Sequence, residues 1–129
     1  MCSKSIHQSL VHHFAGKHIL SEFYNIQTNQ TYRDVPELIK MVSSSCRRNH
    51  VAILKHSNYV FDNGGYTVFF LLKESHLSIH YYVEYRSAFI DVFTCGNADA
   101  NSILHDIELF YSPRRVETKE IHRGRPSHA

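Results

Sequence analysis

The chain has 129 residues, 43% of them apolar and 20% charged, with a formal net charge of +2. One packed domain fits that size, and the balance excludes global disorder and carries no electrostatic footprint of a nucleic-acid binder, although eleven histidines can add charge in mild acid. The longest apolar run, Tyr66 to Leu72, is too short to span a bilayer.

No basic-then-apolar leader opens the sequence. The three cysteines, Cys2, Cys46 and Cys95, are odd in number and lack metal-type spacing. Free thiols in a reducing compartment, the cytoplasm, are the expectation.

Residues 1–13 show no period and read as loose. His18 to Ile26 alternates, with Ile19 and Phe23 on one face and Leu20 and Tyr24 on the other, which predicts a strand. Asp34-Val35-Pro36 opens a helix with an acidic cap and an early proline. Leu38, Ile39, Met41 and Val42 form its apolar stripe, which ends near Ser45. Val51 to Val60 is a second strand, Asp62-Asn63-Gly64-Gly65 a turn, and Tyr66 to Leu72 a third strand. Leu77 to Tyr82 and Ala88 to Thr94 make two more. Ala98 to Tyr111 predicts a helix with Ile103, Leu104, Ile107 and Phe110 inward. Pro113 stops it. The basic stretch from Arg114 to Arg125 reads as a solvated tail, in which Arg115 to Ile121 can form a last strand.

Short turns between strands require antiparallel pairing, and two helices are too few for a doubly wound sheet. The expected fold is α+β, a two-layer sandwich with an antiparallel sheet and both helices on one face. The uncovered sheet face suits a second copy packed sheet on sheet.

Chemistry concentrates in residues 73–96, KESHLSIHYYVEYRSAFIDVFTCG. A serine hydroxyl can attack the carbonyl of its preceding peptide bond, here Glu74–Ser75, and convert the amide to an ester. A base that takes the serine α-proton then lets the ester eliminate to dehydroalanine, which hydrolyses to a pyruvoyl group. The sequence of steps needs a strained carbonyl, an oxyanion donor and a nearby base, and Ser75, Thr67 and His80 are candidates. The resulting ketone forms a Schiff base with an amine and draws off electrons as a carboxylate leaves, a role usually filled by a cofactor.

Taken singly, each residue also has a plain structural reading. Cys95 can be a small buried hydrophobe, Phe61 a core ring, Glu84 a surface acid, Tyr81 and Tyr82 strand filler, and Glu74-Ser75 a surface turn. His76 and His80 have the spacing of helical metal ligands, but the stretch reads as a strand and no further ligands follow, so no metal is expected.

The segment resembles the processing and catalytic region of the prokaryotic-type S-adenosylmethionine decarboxylase proenzymes, which show ESHLSIHTWPE, a short spacer, then DVFTCG. The likeness extends back through the glycine turn and Thr67 to Gly16-Lys17-His18-Ile19-Leu20-Ser21-Glu22-Phe23-Tyr24, similar to the family's GRHLL-E-Y opening. It extends forward to Arg115-Val116-Glu117 and His122-Arg123-Gly124. The resemblance implies one domain over residues 1–129 that cleaves itself at Glu74–Ser75 into a β chain, 1–74, and an α chain, 75–129. Ser75 then becomes the self-generated pyruvoyl cofactor that forms the Schiff base. The resemblance makes His80 the processing base and Thr67, where the family has serine, the assisting hydroxyl. It makes Cys95 the proton donor to the product carbon. Glu84 matches the acid that contacts the ribose, Phe61 matches a ring that stacks on adenine, Phe14 supplies a second ring, and Tyr82 replaces a tryptophan of the pocket wall.

The implied reaction converts S-adenosylmethionine to its decarboxylated form, the aminopropyl donor for spermidine. The implied assembly is a cytoplasmic homodimer of αβ protomers with sheets face to face, a four-layer αββα arrangement. Its partner is a small-molecule substrate, not nucleic acid or membrane.

The chain departs from the family pattern at Tyr81-Tyr82-Val83-Glu84, where the family has Thr-Trp-Pro-Glu, and at Tyr85-Arg86-Ser87, where it has Tyr/His-Gly-Tyr. Arg86 brings a guanidinium toward the substrate acid, where it repels a sulfonium or pairs with Glu84. The lost tryptophan weakens a wall that holds a sulfonium by cation–π contact. Two alternatives stay open on these residues. One is a pyruvoyl-dependent ornithine or arginine decarboxylase on the same scaffold. The other is an unprocessed, non-catalytic regulatory subunit, against which the retained Ser75, His80 and Cys95 speak.

Overall fold

Period-two alternation of burial marks the four inner strands, the two edge strands are largely exposed, and two apolar stripes at helical spacing set two helices. The computed structural model describes residues 15–95 and 98–124. In chain order the elements are β1 (Gly16–Ile26), α1 (Val35–Arg48), β2 (Ile53–Val60), β3 (Tyr66–Leu72), β4 (Ser75–Tyr82), β5 (Ser87–Cys95), α2 (Ala100–Tyr111) and β6 (Pro113–Arg123). The strands form one sheet in the order β2-β3-β4-β5-β1-β6, and every neighbouring pair is antiparallel. From β2 to β5 the chain is a meander. Helix α1 carries it from β1 to the far edge of the sheet, and α2 returns it to the open side of β1.

One sheet face is covered. Ile19, Val68, Ile79 and Ile90 from alternate strand positions join Leu38 and Val42 of α1 and Ile103 and Ile107 of α2 in a single core. Burial of such side chains stabilises the fold by about 1.5–3 kcal/mol each, before the entropy of ordering is counted. The intervening strand residues face the other way. Phe69, Leu71, Tyr82 and Phe89 stay exposed there, and the two helices pack on the opposite side. This is the expected α+β two-layer arrangement with an antiparallel sheet.

Element ends differ from expectation for local reasons. Helix α1 continues past Ser45 to Arg48 because Ser45 is fully buried and its hydroxyl donates to Asp106 of α2 at 2.6 Å. Asp34 makes no side-chain cap of α1. Its carboxylate instead accepts from the Thr31 amide at 2.8 Å, in the cap of a preceding 3-10 turn, Tyr32–Asp34. Helix α2 begins at Ala100, because Asp99 Oδ1 accepts from the Ser102 amide at 3.0 Å and so stands just outside the helix. Tyr111, not Phe110, fills the last core position of α2. The basic C-terminal stretch is no tail as far as it is described: β6 pairs with β1 from Pro113 to Arg123. The expectation of a loose segment over residues 1–13 lies outside the described residues.

Candidate active site

The loop Lys73-Glu74 joins Leu72 to Ser75, which pair across the β3–β4 hairpin. Two-residue hairpin loops favour positive φ at the first loop residue, or at both, because those turns match strand twist. Here only Glu74, the second, has positive φ, at 70°. A residue with a Cβ pays about 1–2 kcal/mol in that left-handed region. The Lys73 amide donates to the Ala52 carbonyl at 3.0 Å and ties the loop to the segment ahead of β2. Backbone strain therefore sits immediately before the Glu74–Ser75 bond.

Ser75 begins β4, two residues earlier than the sequence pattern predicts. Its Oγ lies 4.0 Å from Cys95 Sγ at the end of β5, which is contact distance and not a tight hydrogen bond. Cys95 is disulfide-bonded in this structure, while Cys46 is a free, buried thiol. The expectation of free thiols thus holds for Cys46 and fails for Cys95. Burial pushes the Cys46 thiol up to about 11, so it is chemically quiet. Next along β4, His76 packs on the open face. Its ring stacks on Phe69 at 5.9 Å and meets His18 edge-on at 5.8 Å. Burial first, and then the neighbouring His18, push its pKa below the ordinary 6.5. Asp91 opposes that shift, while Arg123 adds to it.

Thr67 and His80 are register partners on β3 and β4, and Thr67 Oγ1 lies 2.9 Å from His80 Nδ1. These two are brought together as the sequence predicts. They are not brought to Ser75. His80 is five residues further along an extended strand, about 17 Å away at 3.3–3.4 Å per residue. Proton transfer needs roughly 3 Å.

A cleft of about 820 Å³ opens around Thr67 and His80. Its walls are the β2–β3 turn, with Phe61, Asn63 and Gly65, and the β4–β5 turn, with Tyr82, Glu84 and Tyr85. Gly65 is needed where these turns meet, because a Cβ there would stand 2.8 Å from the Tyr81 carbonyl oxygen. Asn63 Nδ2 donates to Glu84 Oε2 at 2.8 Å and so holds the carboxylate at the rim. Phe61 rests against Tyr59, with ring centres 5.0 Å apart. Tyr82 leans on Phe89 at 5.3 Å. The size and the mixture of rings with a few polar groups suit a small organic ligand.

Arg86 does not do what its place in the sequence suggests. Its guanidinium is turned to the Ile26 carbonyl, with Nε at 2.9 Å and Nη2 at 2.6 Å, while Glu84 is held by Asn63. Phe14 lies outside the described residues. Asn63 and Tyr85 line the cleft without having been assigned there by sequence. Asn63 reads only as a turn former, and its contact with Glu84 joins two turns distant in sequence. Among the described residues, no group of three or more His, Cys, Asp or Glu could hold a metal ion, and no helix is long and apolar enough to cross a membrane.

The model of the S-adenosylmethionine decarboxylase family matches residues 17–124. The chain belongs to that family. A curated family relative from Methanococcus maripaludis, an S-adenosylmethionine decarboxylase proenzyme, is 33% identical over 110 residues, covering 84% of this chain and 89% of the relative. Another proenzyme of that name, from Pyrobaculum islandicum, is 36% identical over 104 residues, covering 79% and 82%. Among solved structures, the adenosylmethionine decarboxylase from Aquifex aeolicus superposes with a TM-score of 0.72 at 25% identity, covering 86% of this chain and 92% of that one.

Proposed function

We propose that the chain is a self-processing, pyruvoyl-dependent S-adenosylmethionine decarboxylase. The observation that carries the reading is Ser75 itself, which follows a left-handed Glu74 and lies beside Cys95, in a family whose curated members are named proenzymes. Those names also favour S-adenosylmethionine over ornithine or arginine, and a maturing enzyme over a silent subunit.

In processing, Ser75 Oγ attacks the Glu74 carbonyl carbon and the peptide nitrogen leaves as an amine, so an ester replaces the amide. The left-handed Glu74 raises the energy of the amide and favours that exchange. With Nδ1–H donating to Thr67 Oγ1, His80 presents Nε2 as the basic nitrogen that takes the Ser75 α-proton. Elimination then separates residues 1–74, with Glu74 as the new carboxyl end, from residues 75–129.

The His80 that serves a given Ser75 comes from a second copy. The separation of about 17 Å along one strand speaks against the residue's own chain, and the exposed apolar face carrying Thr67 and His80 suits isologous packing. Two-fold pairing of that face sets Thr67 and His80 of each copy against Ser75 and Cys95 of the other, in a four-layer αββα homodimer.

A pyruvoyl group formed from Ser75 would stand at the start of β4 beside Cys95 and would supply an electrophilic carbonyl for the substrate amine and a sink for the electrons released with carbon dioxide. Reduced Cys95 delivers a proton to the product carbon. In the cleft, Glu84 accepts from the ribose hydroxyls, Phe61 stacks on adenine, and Tyr82 closes the wall. Carbon dioxide release from carboxyl-labelled S-adenosylmethionine, ornithine and arginine, measured under reducing conditions, tests the substrate. Release from the first alone is expected, and release from either amino acid alone overturns the assignment.

A further inference from the structure

The turn that carries Glu84 has little of its own to hold it. It is a single 3-10 turn, Val83–Tyr85, with no buried residue. Asn63 ties it to the β2–β3 turn, and the Ser87 hydroxyl donates to the Tyr85 carbonyl at 2.9 Å. The strongest tie is Arg86. The Ile26 amide donates to the Arg86 carbonyl at 3.0 Å, and the Arg86 guanidinium donates to the Ile26 carbonyl through both Nε and Nη2. Ile26 ends β1 and is fully buried, so it is a fixed anchor. Arg86 grips it from both sides.

That grip stands in a backbone conformation that argues for glycine. Arg86 has φ of 46°, in the left-handed region where a Cβ is disfavoured. Charge-assisted hydrogen bonds are roughly twice as strong as neutral ones, and the forked pair offsets the strain. We propose that Arg86 is a positioning residue: it straps the Glu84 turn to the end of β1 and thereby sets how tightly the cleft holds its ligand, without touching the ligand. The proposal rests on the reading of this cleft as the substrate site.

The test compares wild type with Arg86→Gly, which relaxes the backbone and removes the guanidinium part of the strap, and Arg86→Lys, which keeps the charge but not the fork. Self-cleavage is expected to proceed at the wild-type rate in both, because Thr67 and His80 are held by the β3–β4 register and by their own hydrogen bond, not by the 83–86 turn. For Arg86→Gly, KM for S-adenosylmethionine is expected to rise about tenfold with kcat within about twofold, and Arg86→Lys to fall between. Amide exchange over residues 82–87 is expected to accelerate in Arg86→Gly while β4 and β5 interiors stay protected. Unchanged exchange shows that there is no strap. Faster exchange with unchanged KM shows that the strap does not serve the cleft. A lower KM in Arg86→Gly, with Arg86→Lys like wild type, shows charge repulsion instead. Should the wild type not decarboxylate S-adenosylmethionine at all, the functional reading fails while the exchange comparison still decides the strap.

Discussion

The separation of Ser75 from His80 makes cleavage in trans a sharp prediction. Within one chain the two side chains stand about 17 Å apart along β4, and no rotamer change closes a gap several times the length of a hydrogen bond. His80→Ala and Ser75→Ala chains, each produced alone, are expected to stay whole: the first lacks the base on both sides, the second the nucleophile. Co-produced with different tags, they form mixed dimers in which Ser75 of the His80→Ala chain meets the intact His80 of its partner. With equal amounts and random pairing, about half of the His80→Ala chains lie in mixed dimers and are cut, while every Ser75→Ala chain stays whole. The assay is a denaturing gel read with antibodies to the two tags. Absence of any cleaved His80→Ala chain, with mixed dimers verified by tandem purification, refutes the argument from strand geometry. Full cleavage of His80→Ala produced alone refutes the role of His80.

Glu74→Gly removes strain of about 1–2 kcal/mol ahead of the scissile bond, so processing is expected to slow about five- to thirtyfold. Glu74→Ala, which keeps a Cβ, is expected to stay near the wild-type rate, and equal rates for all three in a gel time course contradict the strain argument. Cys95→Ala is expected to be cut normally but to lose most turnover, and retained turnover removes its role as proton donor. His76 has a lowered pKa in the folded chain, so the unfolded chain binds its proton first. Its stability contribution is complete above pH 6.5 and is lost as pH falls from there through the lowered folded value. Melting temperatures from neutral to mildly acidic pH are expected to fall more for wild type than for His76→Gln, and parallel curves contradict the assignment.

The sheet and its core were legible because alternation in Tyr66 to Leu72 and Ala88 to Thr94, and helical stripes at Leu38–Val42 and Ile103–Ile107, each state a buried face directly. Element ends were less so. Ser45 reads as a stop signal but is buried against Asp106, and Asp34 reads as a cap but serves the turn before the helix. The motif residues were legible as a set, yet their distribution over two ends of the sheet was not. Spacing of five along a strand becomes a distance only when the strand is known to run straight from Ser75 to Tyr82. Arg86 shows the same limit: neighbourhood in sequence suggested a partner in Glu84, but a left-handed φ aims the side chain at Ile26. Asn63 joins Glu84 only because two turns meet at one sheet end.

Everything proposed for the reaction depends on a main-chain break that leaves a keto group on residue 75. Intact mass measurement of the purified, reduced protein reads both at once. The account predicts two polypeptides, residues 1–74 with a free carboxyl end and residues 75–129 lighter by one ammonia than the plain peptide, the second gaining mass on borohydride treatment. A single unbroken chain, or a fragment that begins with ordinary serine, contradicts it.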